Sequence, residues 1–531
     1  MAALNPRSIP WLAALFVVGC TLAAFLNSLD GEFLMDDHTE IVDNTFMESL
    51  WPPWRVMFIG HELPSRPLPY LTFAIDRAIW GKRPFGFHVT NLVIHIGAAL
   101  SLFFLTRTTL SSPRLRDTFG NHADILAGLI ASLWAAHPLN TQAVTYIYQR
   151  MESLAAMLCL LAMAAFAGAI TRQWNTRWLA GSVVASAAAM LSKETAAVLP
   201  LLIASYDWLF CGDQPAPAGR RIRYYSALCS TWLVLGGQMV AQSWRYHQTG
   251  VYGVSPVDYF LTQPRVILHY LRLAFWPHRL CFDLNWAVLK NWSDILPAFM
   301  YMTAFGLAVV YGLARRRVWA WPGVFFLLAL APSSSFLPLG QIAAEYRMYM
   351  PLAAVVAAVV LSIHAAIQQW APPGPRRVAF FCGAAVVAIA ALGALTMLTQ
   401  NRNRLYAAPG GVWIDVIEQG AGSSRALWNL ALACDEHHAF DAAIQYAGEV
   451  AIRNRDQEVY AHLAMRRLRE GDLATAERYL REAVGSQSDD RLNGPPIDVR
   501  IATCLAKILR QQGRDAEAEE IERRSQPAKR E

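Results

Sequence analysis

Acidic side chains crowd the stretch GEFLMDDHTEIVDN, residues 31–44, where Asp36, Asp37, His38, Glu40 and Asp43 follow an uncharged apolar run from Ile9 to Ser28. Carboxylates so placed can serve as a general base toward a hydroxyl, or offer hard oxygen ligands to a divalent cation such as Mg or Mn. Basic residues collect in other connecting stretches. Arg66 lies in the same loop, Arg150 stands two residues before Glu152 at the head of an apolar run, Lys193 sits in the turn LSKE, and Arg347 in EYRMYMP. Arg and Lys are the side chains that receive phosphate, Arg in bidentate fashion. The combination suits a lipid-linked phosphate donor and a hydroxyl acceptor activated by an Asp. A further polar set lies on one helix face: His88, Asn91 and His95 recur at i, i+3 and i+7 in FHVTNLVIH, and His137 closes a later apolar run just before Pro138. Polar groups inside apolar segments are expensive, so they mark either function or hydrogen bonding between helices. Structural ion pairing is the competing explanation for the acids and bases.

These groups need a frame, and composition says it is a membrane. The chain has 531 residues, 55% hydrophobic and only 16% charged, against about 25% charged in an ordinary soluble domain. Apolar runs approach the ~20 residues that cross a bilayer. Eleven spans are expected, at about 9–28, 86–106, 122–137, 152–171, 178–192, 195–211, 225–244, 295–313, 319–336, 351–369 and 378–398. The first is read as a retained anchor, because Asn27-Ser28-Leu29 is a poor cleavage site. Placing Arg7 in the cytoplasm puts Arg107, Arg172, Arg220, Arg315 and Arg376 with their basic neighbours in cytoplasmic loops, as positive-inside orientation requires. The stretch 265–277 carries Arg265, His269 and Arg272 on one side and apolar residues on the other, so it is expected to lie along the interface. The acidic loop, Arg66, Arg150, Lys193 and Arg347 then share the non-cytoplasmic side.

Other classes find no support. The net charge of +6 is spread over short loops, which argues orientation and not nucleic-acid binding. Neither a phosphate-binding GxxxxGK[ST] loop nor a dinucleotide fingerprint is present. The eight cysteines show no CxxC spacing and read as small buried hydrophobes. No matched pair of broken helices suggests a transporter.

Beyond residue 400 the character changes. HAFDAAIQYAGEVA (438–451) and GDLATAERYLREAV (471–484) align at an offset of 33, and GRDAEAEEIERR (513–524) aligns again after a connection containing NGPP. A period near 34 with small residues at fixed places is the tetratricopeptide signature. The organisation expected is a transmembrane domain over 1–400, a linker over 401–422 and about three repeats over 423–531, forming a partner- or acceptor-binding surface.

In that order, FLMDDHTEIVDN, RPLPYLTFAIDRAIWGKRPFGFHVTNLVIHIGAAL, HPLNTQAVTYIYQRMESL, LSKE and EYRMYMP, followed by the repeats, resemble the family of transmembrane and tetratricopeptide-repeat-containing proteins. The resemblance covers almost the whole chain. It implies an all-α fold: a polytopic helical bundle of GT-C type followed by a short α-solenoid. It also implies a glycosyltransferase, since animal members are protein O-mannosyltransferases that use dolichyl-phosphate-mannose. The acidic pair of the first external loop is the family's presumed catalytic site, so Asp36 and Asp37 inherit that role, with Asp36 as base and Asp37 as metal ligand or support, or the two exchanged. His137, Arg150 and Glu152 match the family's second motif. Gln142 stands where relatives usually have Glu, and Gln149 where they usually have Gly; Gln142 cannot be a base, which leaves Glu152 as the second acid.

The expectation is therefore an enzyme that moves a sugar from a polyprenyl-phosphate donor to a hydroxyl, a protein Ser or Thr, with inversion, at the non-cytoplasmic face. Arg66, Arg150, Lys193 and Arg347 are the expected phosphate-binding cations. A bacterial inner membrane with periplasmic repeats fits; an endoplasmic-reticulum membrane with a luminal tail obeys the same charge rule. Sugar transfer to a lipid or polysaccharide of the envelope is one alternative, and a non-catalytic membrane-anchored repeat scaffold is another.

Overall fold

A computed structural model describes residues 9–58, 66–211, 216–217, 219–243, 254–454, 458–485 and 499–525. Arg7 and the NGPP connection lie outside the described residues. Those described are helical with no strand, and they divide into two units, one of 1–280 with 286–407 and one of 281–285 with 408–531.

The first unit begins with α1 (Ile9–Phe25). The acidic loop follows, and then α2 (Pro67–Trp80) and α3 (Pro84–Leu110), each opened by a proline in its first turn, where the missing N–H costs nothing. Next come α4 (Ala123–Ala135), α5 (Arg150–Thr171), α6 (Thr176–Met190), α7 (Leu199–Tyr206) and α8 (Arg220–Ser243). The set closes with α9 (Pro256–Phe275), α10 (Trp292–Ala314), α11 (Trp321–Leu330), α12 (Pro351–Trp370) and α13 (Pro375–Ala407). α3 packs along α5, α4 and α1, and α5 along α6, which makes α3 and α5 the spine of the bundle.

Seven helical segments among the described residues are long and apolar enough to cross a membrane. The expected spans near 122–137, 178–192 and 319–336 fold as helices of 13, 15 and 10 residues. At about 1.5 Å per residue these fall short of a hydrocarbon core about 30 Å thick. The expected span near 225–244 lies in α8, which is 24 residues long but carries Arg220, Arg221 and Arg223 in its first turn. α9 contains the stretch expected to be amphipathic. Tyr259, Gln263, Val266, Tyr270 and Leu273 are buried along one side while Arg265 and Arg272 are exposed.

In the second unit, α14 (Ser424–Glu436) pairs with α15 (Phe440–Asn454), α16 (Glu458–Arg469) with α17 (Leu473–Gly485), and α18 (Val499–Gln511) with α19 (Asp515–Ser525). The second pair starts 34 and 33 residues after the first. Ala443 and Ala476, at equivalent places, are both fully buried, so small side chains stand where helices approach. Asp435 on α14 takes two hydrogen bonds from Arg467 on α16 (2.8 and 2.9 Å) and one from the Tyr479 hydroxyl on α17 (2.7 Å). This buried network links one pair to the next.

Candidate active site

The acidic loop is folded by its own carboxylates. Asp37 accepts from the Leu34 N–H at 2.8 Å through Oδ2, and its own N–H returns a bond to the Leu34 carbonyl at 2.8 Å. Its other oxygen, Oδ1, accepts from the Tyr148 N–H at 2.7 Å. Asp37 is fully buried, and burial, followed by the charge of Asp36, pushes its carboxyl above the usual carboxylate range, against the two backbone donors and Arg150. Met35 adopts φ of +44°, a conformation that a residue with a β-carbon takes only when its surroundings force it. The strained residue immediately precedes Asp36.

Asp36 itself is only partly buried. The Tyr146 hydroxyl donates to Asp36 Oδ2 at 3.0 Å and accepts from the Asp36 N–H at 3.2 Å. Glu40, buried, accepts from the Tyr70 hydroxyl at 2.7 Å. Tyr70 has spent its proton there, so the Tyr148 hydroxyl must be the donor in the 3.2 Å contact between the two phenols. The two adjacent aspartates, exchangeable in sequence, are thus distinguished. Asp37 is buried and held by backbone amides, whereas Asp36 is partly exposed.

Each oxygen of Asp37 already accepts a backbone amide, so toward a metal it has only its remaining lone pairs to offer. Among the described residues no group of three or more His, Cys, Asp or Glu is arranged to hold a metal ion.

The four expected phosphate-binding cations separate just as clearly. Arg150 is fully buried and fully engaged: Nη2 forms an ion pair with Asp76 at 2.6 Å and donates to the Phe87 carbonyl at 2.8 Å, Nε donates to Asn91 at 2.5 Å, and Nη1 to Thr72 at 3.0 Å. Its guanidinium also lies 4.5 Å from the Phe73 ring centroid. The expectation that Arg150 receives phosphate is corrected: it ties α2, α3 and α5 together. Lys193 pairs with Glu152 at 2.7 Å, and Arg66 with Glu194 at 2.9 Å. The Glu152 carboxylate is thereby engaged as a counter-ion.

Arg347 differs. It is buried, and its partners are the Tyr259 hydroxyl (3.3 Å) and the carbonyls of Ser333, Ile342 and Gln341 (3.3, 3.1 and 2.5 Å). Among the described residues no carboxylate pairs with it. Lys193 lies nearby through Tyr346, whose ring centroid is 4.7 Å from Nζ, and the Tyr346 N–H donates to the Gln142 carboxamide at 3.1 Å. A neutral acceptor is all that bond requires of position 142.

The polar helix face is mostly architecture. His95 Nε2 faces the Ala135 carbonyl at 3.0 Å and must be its protonated nitrogen, so Nδ1 accepts from the Tyr349 hydroxyl at 2.7 Å. His137 reads the same way: Nε2 donates to the Ala274 carbonyl at 3.1 Å and Nδ1 accepts from the Leu139 N–H at 3.2 Å. Asn91 serves Arg150 and the Val144 carbonyl, the latter at 2.9 Å. His88 lies against Gly31, where an added β-carbon would come within 2.7 Å of Nε2, so glycine lets the chain enter the acidic loop past that ring.

The expected residues fall into groups. Asp36 bonds Tyr146, and Asp37 bonds the backbone of Tyr148, whose hydroxyl meets Tyr70 and through it Glu40. Arg66 pairs with Glu194, and Lys193 pairs with Glu152 and faces the ring of Tyr346, the neighbour of Arg347. Tyr70, Tyr148 and Asp76 were not expected here; the alternating tyrosines of TYIYQR and the lone acid in the apolar stretch AIDRAIW are their only traces in sequence. An apolar cleft of about 540 Å³ is lined by Leu102 and Leu105 of α3, Leu271 and Phe275 of α9, Phe305 of α10 and Phe325 of α11, and by none of the acids and bases above. Leu271 follows Tyr270, whose hydroxyl accepts from the Ala344 N–H at 2.7 Å.

No family model matches the chain. Among curated proteins, protein O-mannosyl-transferase TMTC4 of Mus musculus is 28% identical over 414 residues, 66% of this chain and 55% of that protein. Human protein O-mannosyl-transferase TMTC2 is 30% identical over 205 residues, 35% of this chain and 23% of that protein. The chain is similar to the transmembrane and tetratricopeptide-repeat-containing proteins. It spans about half the length of the TMTC4 proteins it matches. Among solved structures, the Archaeoglobus fulgidus oligosaccharyltransferase in its apo form gives a TM-score of 0.44 at 14% identity, covering 75% of this chain and 56% of that one. ArnT from Cupriavidus metallidurans bound to undecaprenyl phosphate gives 0.38 at 13%, covering 80% and 72%. Likeness at that level carries no functional weight.

Proposed function

We propose that this chain is an integral-membrane glycosyltransferase that moves a sugar from a polyprenyl-phosphate donor to a hydroxyl acceptor at the non-cytoplasmic face. One observation carries the reading: the first unit holds both a partly exposed carboxylate, Asp36, kept in place by Tyr146, and a buried guanidinium, Arg347, that no carboxylate neutralises among the described residues. Asp36 takes the proton of the acceptor hydroxyl as that oxygen attacks the anomeric carbon. The bond from that carbon to the lipid phosphate breaks, and the phosphate leaves with the electron pair. Arg347 offsets the charge it carries away. One displacement inverts the anomeric centre. The apolar cleft suits the lipid chain of the donor. The relation to O-mannosyl-transferases favours mannose and a protein Ser or Thr. The paired helices of the second unit are proposed as tetratricopeptide repeats that present the acceptor. No step requires a metal.

The test is a glycan comparison. Wild type and Asp36→Asn are expressed at matched membrane levels in a strain deleted for this chain, and protein-linked and lipid-linked sugars are profiled by mass spectrometry. A sugar-bearing species restored by wild type and absent with the variant is the expected result. Equal restoration by both removes Asp36 as the base.

A further inference from the structure

We infer that Tyr146 is a positioning residue for the Asp36 carboxylate, an inference that rests on the reading of Asp36 as base. The two residues are 110 positions apart, and one phenol oxygen serves Asp36 twice, accepting from its N–H at 3.2 Å and donating to Oδ2 at 3.0 Å. A hydroxyl has a single proton, and here it goes to one carboxylate oxygen. Backbone and carboxylate of the same residue are therefore referred to a common point, which fixes the rotation of the side chain between them.

The grip has a second half. Two residues on, the Tyr148 N–H holds Asp37 Oδ1 at 2.7 Å. The segment 146–148 thus grasps two consecutive loop residues, Asp36 by a side chain and Asp37 by backbone. The backbone bond does not depend on which side chain stands at 148. The Asp36 clamp disappears with the loss of one oxygen. The Tyr146 ring is buried, with its centroid 6.4 Å from that of Tyr148, so a phenylalanine keeps the ring packing and removes the hydroxyl that makes the clamp. Met35, held at φ of +44° immediately before Asp36, gives the loop a reason to relax once the clamp is gone. Misplacing a reacting group by about 1 Å can cost on the order of 100-fold in rate.

The experiment uses the full chain in lipid nanodiscs, as wild type, Tyr146→Phe and Asp36→Asn. The probe is a synthetic polyprenyl-phosphate-linked mannose, with membranes from the deleted strain as acceptor source. The readouts are kcat and KM for the donor and the thermal unfolding midpoint of the same samples. The inference expects Tyr146→Phe to lose about 10- to 100-fold in kcat, with donor KM and unfolding midpoint kept. Tyr146→Phe equal to wild type, while Asp36→Asn is inactive, overturns the positioning role and leaves the base reading intact. A kcat loss that follows a lowered midpoint overturns it in favour of a structural role. Wild type no more active than Asp36→Asn removes the base reading itself, and the inference with it.

Discussion

Arg150 and Arg347 are both buried in the transmembrane unit, and their surroundings differ in kind. Arg150 meets Asp76 at 2.6 Å, with Asn91, Thr72 and the Phe87 carbonyl taking its remaining donors. Arg347 meets a phenol and three carbonyls and, among the described residues, no carboxylate. Dipoles can satisfy the hydrogen bonds of a guanidinium without neutralising its charge. A paired buried charge is at rest, and removing one partner strands the other. A buried cation surrounded by dipoles alone still attracts an anion. The comparison separates a residue that holds the bundle together from one suited to receive phosphate, although both looked alike as isolated basic residues in apolar sequence.

The largest expected effect breaks the resting pair. Arg150→Met leaves Asp76 buried and uncompensated, at a cost of about 3–5 kcal/mol. It should appear as a steep fall in unfolding midpoint and membrane yield, and Asp76→Asn in the same chain should recover part of it. An Arg150→Met protein of wild-type stability would mean that Arg150 is not a structural cation. The next effect sharpens the other side. Arg347→Gln should lower transfer per folded molecule by about 100-fold, or about 2.7 kcal/mol of transition-state stabilisation, beyond whatever midpoint is lost with the hydrogen bonds that Arg347 donates to Tyr259 and three carbonyls. If stability falls and the activity per folded molecule does not, Arg347 belongs with Arg150.

How much of this was legible in sequence follows from the range over which each signal acts. The apolar runs are local, and the helical bundle follows from them, although several helices are shorter than the runs that suggested them; α4, for one, stops at Ala135, short of Pro138. The acidic loop and the basic residues were legible as a set. Their division was not, because it depends on partners distant in the chain: Asp76 for Arg150, Glu152 for Lys193, Glu194 for Arg66. The adjacent Asp36 and Asp37 could not be told apart either. What distinguishes them is that the Tyr148 N–H reaches one and the Tyr146 hydroxyl the other.

A smaller effect tests that last distinction. Asp37→Asn retains one acceptor oxygen but turns an amide group toward a backbone N–H that needs an acceptor. The mismatch should cost about 1–3 kcal/mol of stability, read as a lower unfolding midpoint, with transfer by the surviving folded protein reduced far less than by Asp36→Asn. Equal loss of activity in both, at unchanged stability, would return the pair to a shared catalytic role.

The most direct measurement follows the leaving group. Full-length wild type and Asp36→Asn, each in lipid nanodiscs, are given polyprenyl-phosphate-linked mannose with acceptor membranes, and released polyprenyl phosphate is quantified over time. Release by wild type, with Asp36→Asn slower by about 100-fold or more at equal unfolding midpoint, is the predicted result. Equal release by the two proteins would contradict the account, because the carboxylate that the loop holds in place would then have no part in the transfer.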